Sequence, residues 1–125
     1  MAGDPFEIPA RPRRRFPFEG GLTYEGETVF LLRPSPERDT DALAELVESV
    51  LEAGPYRYGD FLELPMPLYL VRDDETGDVF RVSVRDGVVR LHVLPETDRA
   101  GLRAIYERLD DRAAVTWDVE CRTEG

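Results

Sequence analysis

The chain has 125 residues, of which 42% are hydrophobic, so it can build one ordinary domain with a modest core. Its 26 carboxylates against 16 basic residues give a formal net charge of −10, which disfavours nucleic acid as a default partner. No apolar stretch approaches the roughly 20 residues of a membrane-spanning helix, and the one cysteine, Cys121, cannot form an internal disulfide. We therefore expect a cytoplasmic protein with no membrane partner.

All of the basic residues are arginine, and the chain contains no lysine, asparagine or glutamine. A GC-rich genome favours such a composition. A cytoplasm with molar salt also favours it, because a Debye length of about 3 Å screens the self-repulsion of an acidic surface. The two explanations are compatible, and the composition resembles that of proteins from extreme halophiles.

Residues 1–19 form an arm rich in proline, arginine and phenylalanine, and its four prolines oppose helix and central strand. We expect this arm to be flexible, either mobile or draped over the remainder, with residues 20–125 forming a single α+β domain. Its arginines and phenylalanines could contact the sheet, an acidic helix or a partner. Although Arg13, Arg14 and Arg15 resemble the start of a secretory signal, no apolar stretch follows them.

The pattern after the arm predicts a hairpin of strands 22–24 and 27–33, with Glu25 and Gly26 at the turn and Pro34 ending the second strand. A helix should follow, capped by Ser35 or Asp39 and reaching about residue 53, before the stop signal of Gly54 and Pro55. Its apolar face has the spacing typical of a helix packed on a core. The face consists of Leu43, Leu46, Val47, Val50 and Leu51.

Four strands are predicted next, over 56–64, 68–72, 79–85 and 88–94. Asp86 and Gly87 lie between two alternating runs, which is a strong short-range hairpin signal. This turn and the loop at 74–77 fix a register in which every inward pair is apolar. The predicted pairs are Val84 with Val89, Val82 with Leu91, Phe80 with Val93, Val71 with Phe80, and Tyr69 with Val82.

A second helix over 97–110 and a last strand over 114–122 complete the order β-α-β-β-β-β-α-β. The economical packing of this order is a two-layer α+β sandwich. We predict a mostly antiparallel sheet of five to six strands with both helices on one face. The order of the strands within the sheet stays open.

His92, the single histidine, should lie opposite Arg81 with Ser83 diagonal to it, and Asp118 or Glu120 could complete a catalytic constellation if the last strand is adjacent. Against catalysis, arginines crowd the imidazole, an uncovered sheet face does not exclude water, and no nucleophile-elbow motif is present. We predict no enzymatic activity and no catalytic residue.

The sequence also indicates no metal site and no cofactor. His92 and Cys121 fall on opposite faces of the sheet, the acidic loop at 73–78 lacks the ligand spacing of a calcium loop, and no phosphate-binding loop is present.

The sheet face turned away from the helices combines apolar and basic side chains. Three interpretations compete. The arginines could pair with Asp118 and Glu120, the face could bind a protein partner or a second copy, or it could bind an anion or nucleic acid. Our leading hypothesis is a small interaction or accessory protein that uses this face. Its candidate interface residues are Leu68, Leu70, Arg81, Arg85, Arg90 and His92.

The alternative hypothesis is a small-ligand-binding domain with an aromatic pocket between the sheet and the helices. The candidate pocket residues are Tyr56, Tyr58, Phe61, Tyr106 and Trp117. A row of carboxylates on the first helix, at Asp41, Glu45, Glu48 and Glu52, could dock a basic partner, but a solvated helix face explains it more simply.

Overall fold

A computed structural model describes residues 6–9, 12–15, 23–60 and 68–124 of the chain. The predicted order is confirmed for the main body of the protein, with a short additional pair of strands ahead of it. The elements are β1 (Arg13–Arg15), β2 (Thr23–Glu25), β3 (Glu27–Ser35), α1 (Thr40–Ala53), β4 (Tyr56–Asp60), β5 (Leu68–Asp73), β6 (Val79–Arg85), β7 (Val88–His92), α2 (Arg99–Arg112) and β8 (Thr116–Glu124).

Strands β3 to β8 form a six-stranded antiparallel sheet in the order β4-β5-β6-β7-β3-β8. The apolar residues on one face of this sheet pack with those of α1 and α2 into one core. This arrangement confirms the predicted two-layer α+β fold. The order also places β3, which comes first in the sequence among these strands, between β7 and β8.

The β6–β7 turn has the backbone that a tight hairpin requires, with positive φ at Asp86 and Gly87. The register that this turn predicts is confirmed for four of the five apolar pairs, and β7 ends at His92, before the fifth pair. The confirmed pairs are Val84 with Val89, Val82 with Leu91, Val71 with Phe80, and Tyr69 with Val82.

The predicted hairpin between residues 22–24 and 27–33 is wrong. Strand β2 pairs with β1, with Arg14 opposite Tyr24, in a separate two-stranded sheet. Only Gly26 separates β2 from β3, whereas the tightest common hairpin uses a two-residue loop. Both edges of β3 are already occupied by β7 and β8.

The first helix begins and ends at residues that the sequence suggests. The Asp39 side chain caps α1 by accepting a hydrogen bond from the backbone N–H of Ala42 at 2.7 Å, and Gly54 ends the helix. The apolar side of α1 is buried, whereas its carboxylate row is exposed. No helix among the described residues is long and apolar enough to cross a membrane.

The described part of the arm packs against the core through Phe6, which is 1% exposed. Its ring centroid lies 5.4 Å from that of Phe30 and 5.2 Å from that of Tyr106. Ile8 is partly buried and also packs against the core. The boundary predicted at residue 19 lies outside the described residues.

The start of α2 depends on a buried carboxylate from the loop between β5 and β6. Asp78 is 4% exposed, and one of its oxygens accepts hydrogen bonds from the backbone N–H groups of Val79 and Asp98 at 2.9 and 2.8 Å. Burial raises the pKa of Asp78, and those N–H groups oppose the rise. A Cβ at Gly101 would lie 2.1 Å from Asp78 Oδ2, so the helix approaches this loop only because residue 101 is glycine.

Candidate functional site

The face of the sheet turned away from the helices, hereafter the outer face, is ordered by two rows of paired residues. One row runs Leu70, Arg81, His92 and Val29 across β5, β6, β7 and β3. The second row runs Leu68, Ser83, Arg90 and Leu31 across the same strands. The hairpin register therefore brings together five of the six predicted interface residues, and the sixth, Arg85, lies two residues beyond Ser83 on β6.

At the centre of the outer face, Ser83 and His92 form a hydrogen bond with 2.8 Å between Oγ and Nε2. The Nδ1 atom of His92 lies 3.9 Å from Oε1 of Glu27, which is on the neighbouring strand β3. The prediction that Asp118 or Glu120 could approach the imidazole is wrong, because β3 separates β8 from β7.

His92 is neutral at neutral pH. Burial, together with the positive charges of Arg90 and Arg81, lowers the pKa of its imidazole from 6.5 to about 4. A neutral imidazole has one donor nitrogen and one acceptor nitrogen, so the pair formed with the Ser83 hydroxyl is satisfied without a net charge.

Arg81 and Arg90 have no counter-charge among the residues that the structure describes. The Nε atoms of both side chains are buried without a hydrogen-bond partner. No carboxylate of a described residue forms an ion pair with either guanidinium. Two partly buried positive charges therefore stand beside a neutral ring.

The other arginines of the outer face do have acidic neighbours. Glu120 bonds both Arg33, at 3.2 Å, and Arg122. Asp74 lies 3.0 Å from Arg57 and 3.7 Å from Arg72, and Arg85 lies 3.7 Å from Asp86. The interpretation that Arg81, Arg85 and Arg90 pair with Asp118 and Glu120 is therefore wrong for the described residues, because the carboxylates of β8 lie two or more strands away from β6 and β7.

The centre of the outer face is buried, whereas the part toward β5 is exposed to solvent. Ser83 and Leu31 are each only 2% exposed, although they lie on this face. Leu70 is 40% exposed, and Leu68 beside it is half-buried. The accessible part of the face thus joins an apolar patch to the heads of Arg81 and Arg90.

The aromatic residues predicted to line a ligand pocket do not come together. Tyr56 and Tyr58 lie on β4 and Trp117 lies on β8, which are opposite edges of the sheet and roughly 24 Å apart at ordinary strand spacing. Tyr106 packs against Phe6, and Phe61 lies outside the described residues. Cavities of about 560 and 210 Å³ are lined by other residues, near the β6–β7 turn and near the end of α1.

The acidic loop between β5 and β6 forms a turn. One oxygen of Asp73 accepts hydrogen bonds from the backbone N–H groups of Glu75 and Thr76 at 2.8 and 3.2 Å. Its other oxygen lies 4.0 Å from Arg108, which also donates to the Tyr56 hydroxyl at 2.6 Å. Within the described ranges, no group of three or more metal-ligating side chains is present.

Sequence reasoning missed Glu27 as the carboxylate nearest His92 and Arg108 as the cation beside Tyr56. Both contacts join residues far apart in the chain. No local pattern signals them, because each depends on which strands and helices become neighbours.

Comparison with known proteins gives no relative from which a site could be transferred. No protein-family model matches the chain, and neither a curated protein nor a solved structure matches it.

Proposed function

We propose that this protein is a non-catalytic interaction domain whose outer face docks an acidic segment of a different protein. The observation that carries the proposal is the pair Arg81 and Arg90, neither of which forms an ion pair with a carboxylate of the described residues in a chain with net charge −10. Guanidinium groups bind carboxylates through two parallel hydrogen bonds, and arginine is enriched in protein interfaces.

A protein fits this face better than a nucleic acid does. Leu70 and Leu68 place an apolar patch beside the arginines, which suits an interface core. A sheet that binds single-stranded RNA displays aromatic rings for base stacking, and the described strands place no such ring on the outer face.

A different protein fits better than a second copy of this chain. Arginines outnumber carboxylates on the outer face as far as its side chains are described, so two copies stacked face to face would place like charges together. The carboxylate row of α1 lies on the opposite layer, so it cannot reach its own outer face. An acidic segment from elsewhere supplies the missing charge.

The Ser83–His92 pair resembles a nucleophile and its base, but its environment opposes that use. A general base works best with a pKa near the working pH, whereas the pKa of His92 is about 4. Ser83 is 2% exposed, so a substrate would have to displace the covering side chains to reach its hydroxyl. We therefore assign the pair a structural role as a hydrogen bond between β6 and β7.

The test is fluorescence anisotropy of a labelled oligoglutamate peptide with the full chain at low ionic strength. We expect binding that weakens as salt rises and that falls about tenfold or more when Arg81 and Arg90 are both replaced by Gln. The matched control replaces Arg103 and Arg112, two exposed arginines of α2, by Gln, because it removes the same charge from the other layer. This control should bind as the wild type does.

Four outcomes would overturn the proposal. The peptide could fail to bind, or both double variants could lose binding equally, which would indicate diffuse attraction. A single-stranded oligonucleotide of equal charge could bind more tightly than the peptide, which would replace the protein partner by nucleic acid. Light scattering could detect a dimer that depends on Arg81 and Arg90, which would make the occupant a second copy.

A further inference from the structure

Arg81, Ser83, Arg90 and His92 occupy four adjacent positions on two neighbouring strands. Arg81 lies directly opposite His92, and Ser83 lies directly opposite Arg90. The Ser83–His92 hydrogen bond of 2.8 Å joins one diagonal of this group, and the two arginines occupy the other diagonal. Diagonal neighbours in an antiparallel sheet are about 7–8 Å apart at the backbone, which is within reach of two arginine side chains.

Both arginines flank His92 on the outer face: Arg81 lies directly opposite it on β6, and Arg90 precedes it by two residues on β7. The positive charges of Arg90 and Arg81 lower the pKa of the imidazole, which agrees with this placement. Their Nε atoms are buried and have no hydrogen-bond partner. Buried polar groups in folded proteins are nearly always hydrogen-bonded, so two such donors side by side indicate a missing acceptor.

We propose that the guanidinium groups of Arg81 and Arg90 form a binding site for a doubly charged tetrahedral oxyanion of the phosphate or sulfate type, beside the Ser83–His92 pair. Two guanidinium charges match the two negative charges of such an ion, and the planar guanidinium suits its oxygens. A single carboxylate would leave one positive charge uncompensated. The ion could be free or carried by a phosphorylated side chain of the docking partner.

This site would anchor the docking face, so its biological use rests on the proposed function. Its ability to bind an ion does not, because all four residues belong to one copy of the chain. The test therefore uses inorganic sulfate, and the oligoglutamate assay stays a separate measurement. Sulfate binding without peptide binding would leave the oxyanion site standing and overturn the partner.

His92 is the only histidine, so its ring gives one set of resonances in the full chain. We expect sulfate, added at constant ionic strength in place of chloride, to shift these resonances in a saturable way at neutral pH. A bound dianion also cancels the arginine charges, and the carboxylate of Glu27 already faces Nδ1 from β3. The pKa of His92 should therefore rise by about one pH unit or more when sulfate is bound, and by linkage sulfate should bind more tightly to the protonated ring.

The matched variants are Arg81→Gln and Arg90→Gln, with Arg72→Gln as the control. Arg72 lies on the same face and has the same charge, but it already pairs with Asp74. We expect the first two variants to lose the sulfate response and the control to keep it. The site is overturned if sulfate shifts nothing beyond the chloride effect, if acetate acts equally well, or if Arg72→Gln abolishes the response as the other variants do.

A second experiment identifies the source of the ion by comparing the binding of inorganic phosphate with that of a phosphoserine peptide. Tighter binding of the peptide supports a site that reads a phosphorylated partner. Equal binding of the two supports a site for the free ion. Binding of neither, despite folding shown by circular dichroism, contradicts the site.

Discussion

The neutrality of His92 makes the stability of the fold depend on pH in one direction. The pKa of the imidazole is about 4 in the folded protein, because of burial and the charges of Arg90 and Arg81, against the ordinary value of 6.5. Between these pH values the unfolded chain binds a proton that the folded chain does not bind. The free energy of unfolding therefore falls as the pH drops from 6.5 toward 4, and above pH 6.5 this contribution is constant.

The size of the effect follows from the difference between the two pKa values. Each pH unit inside the window changes the free energy of unfolding by at most about 1.4 kcal/mol, so the whole window is worth roughly 3 kcal/mol. The His92 side chain is 26% exposed, so solvent screens only part of the interaction. The Glu27 carboxylate, 3.9 Å from Nδ1, favours the charged ring and makes this figure an upper value.

The assay is urea unfolding of the wild type and of His92→Gln from about pH 7 to about pH 4.5. Glutamine retains hydrogen-bonding groups that can reach Ser83, but it does not titrate. Since both chains carry the same carboxylates, their contribution cancels in the difference between the two unfolding free energies. On acidification, the free energy of unfolding of the wild type should fall by about 2 kcal/mol or more relative to that of His92→Gln. A difference that does not change with pH would refute a neutral His92 ring flanked by arginines.

Three further predictions concern the fold. Gly101→Ala should lower the free energy of unfolding by about 2 kcal/mol in urea despite the better helix propensity of alanine, because the new methyl group would clash with the pinned Asp78. Gly59→Ala, whose Cβ would meet no atom within 4 Å, should be nearly neutral. Phe6→Ala should cost about 3–5 kcal/mol in the same assay, and wild-type stability would contradict its burial. Burial raises the pKa of Cys121, so iodoacetamide should alkylate it more slowly than free cysteine near neutral pH, and an equal rate would count against this.

Local signals predicted the parts of the fold that depend on neighbouring residues. The β6–β7 hairpin followed from Asp86 and Gly87, because these residues adopt positive φ and their flanking strands alternate. The strand order did not follow, because β3 is distant in the sequence from both of its partners, β7 and β8. The β1–β2 pair was missed for a different reason, because proline-rich segments give little strand signal.

The predictions for the candidate site also succeeded where they depended on neighbouring residues and failed where they depended on distant ones. The register of one hairpin placed Arg81 opposite His92 and Ser83 diagonal to it, and the structure confirms both positions. Every error involved a distant element, such as the carboxylates of β8 expected beside the ring or the aromatic residues of opposite sheet edges expected in one pocket. Whether an arginine can pair with a carboxylate depends on the order of the strands in the sheet. The hydrophobic periodicity of the sequence carries no information about that order.

The lack of a counter-charge at Arg81 and Arg90 is more informative in this chain than it would be in a neutral one. With 26 carboxylates against 16 arginines, an arginine placed at random has acidic neighbours available. Glu120 already serves Arg33 and Arg122, and it lies about 10 Å from β7 because two strand spacings separate them. If the protein works in molar salt, as its composition suggests, a Debye length of about 3 Å leaves little long-range attraction. A ligand must then be held by direct hydrogen bonds to the guanidinium groups, neither of which forms an ion pair with a carboxylate of the described residues.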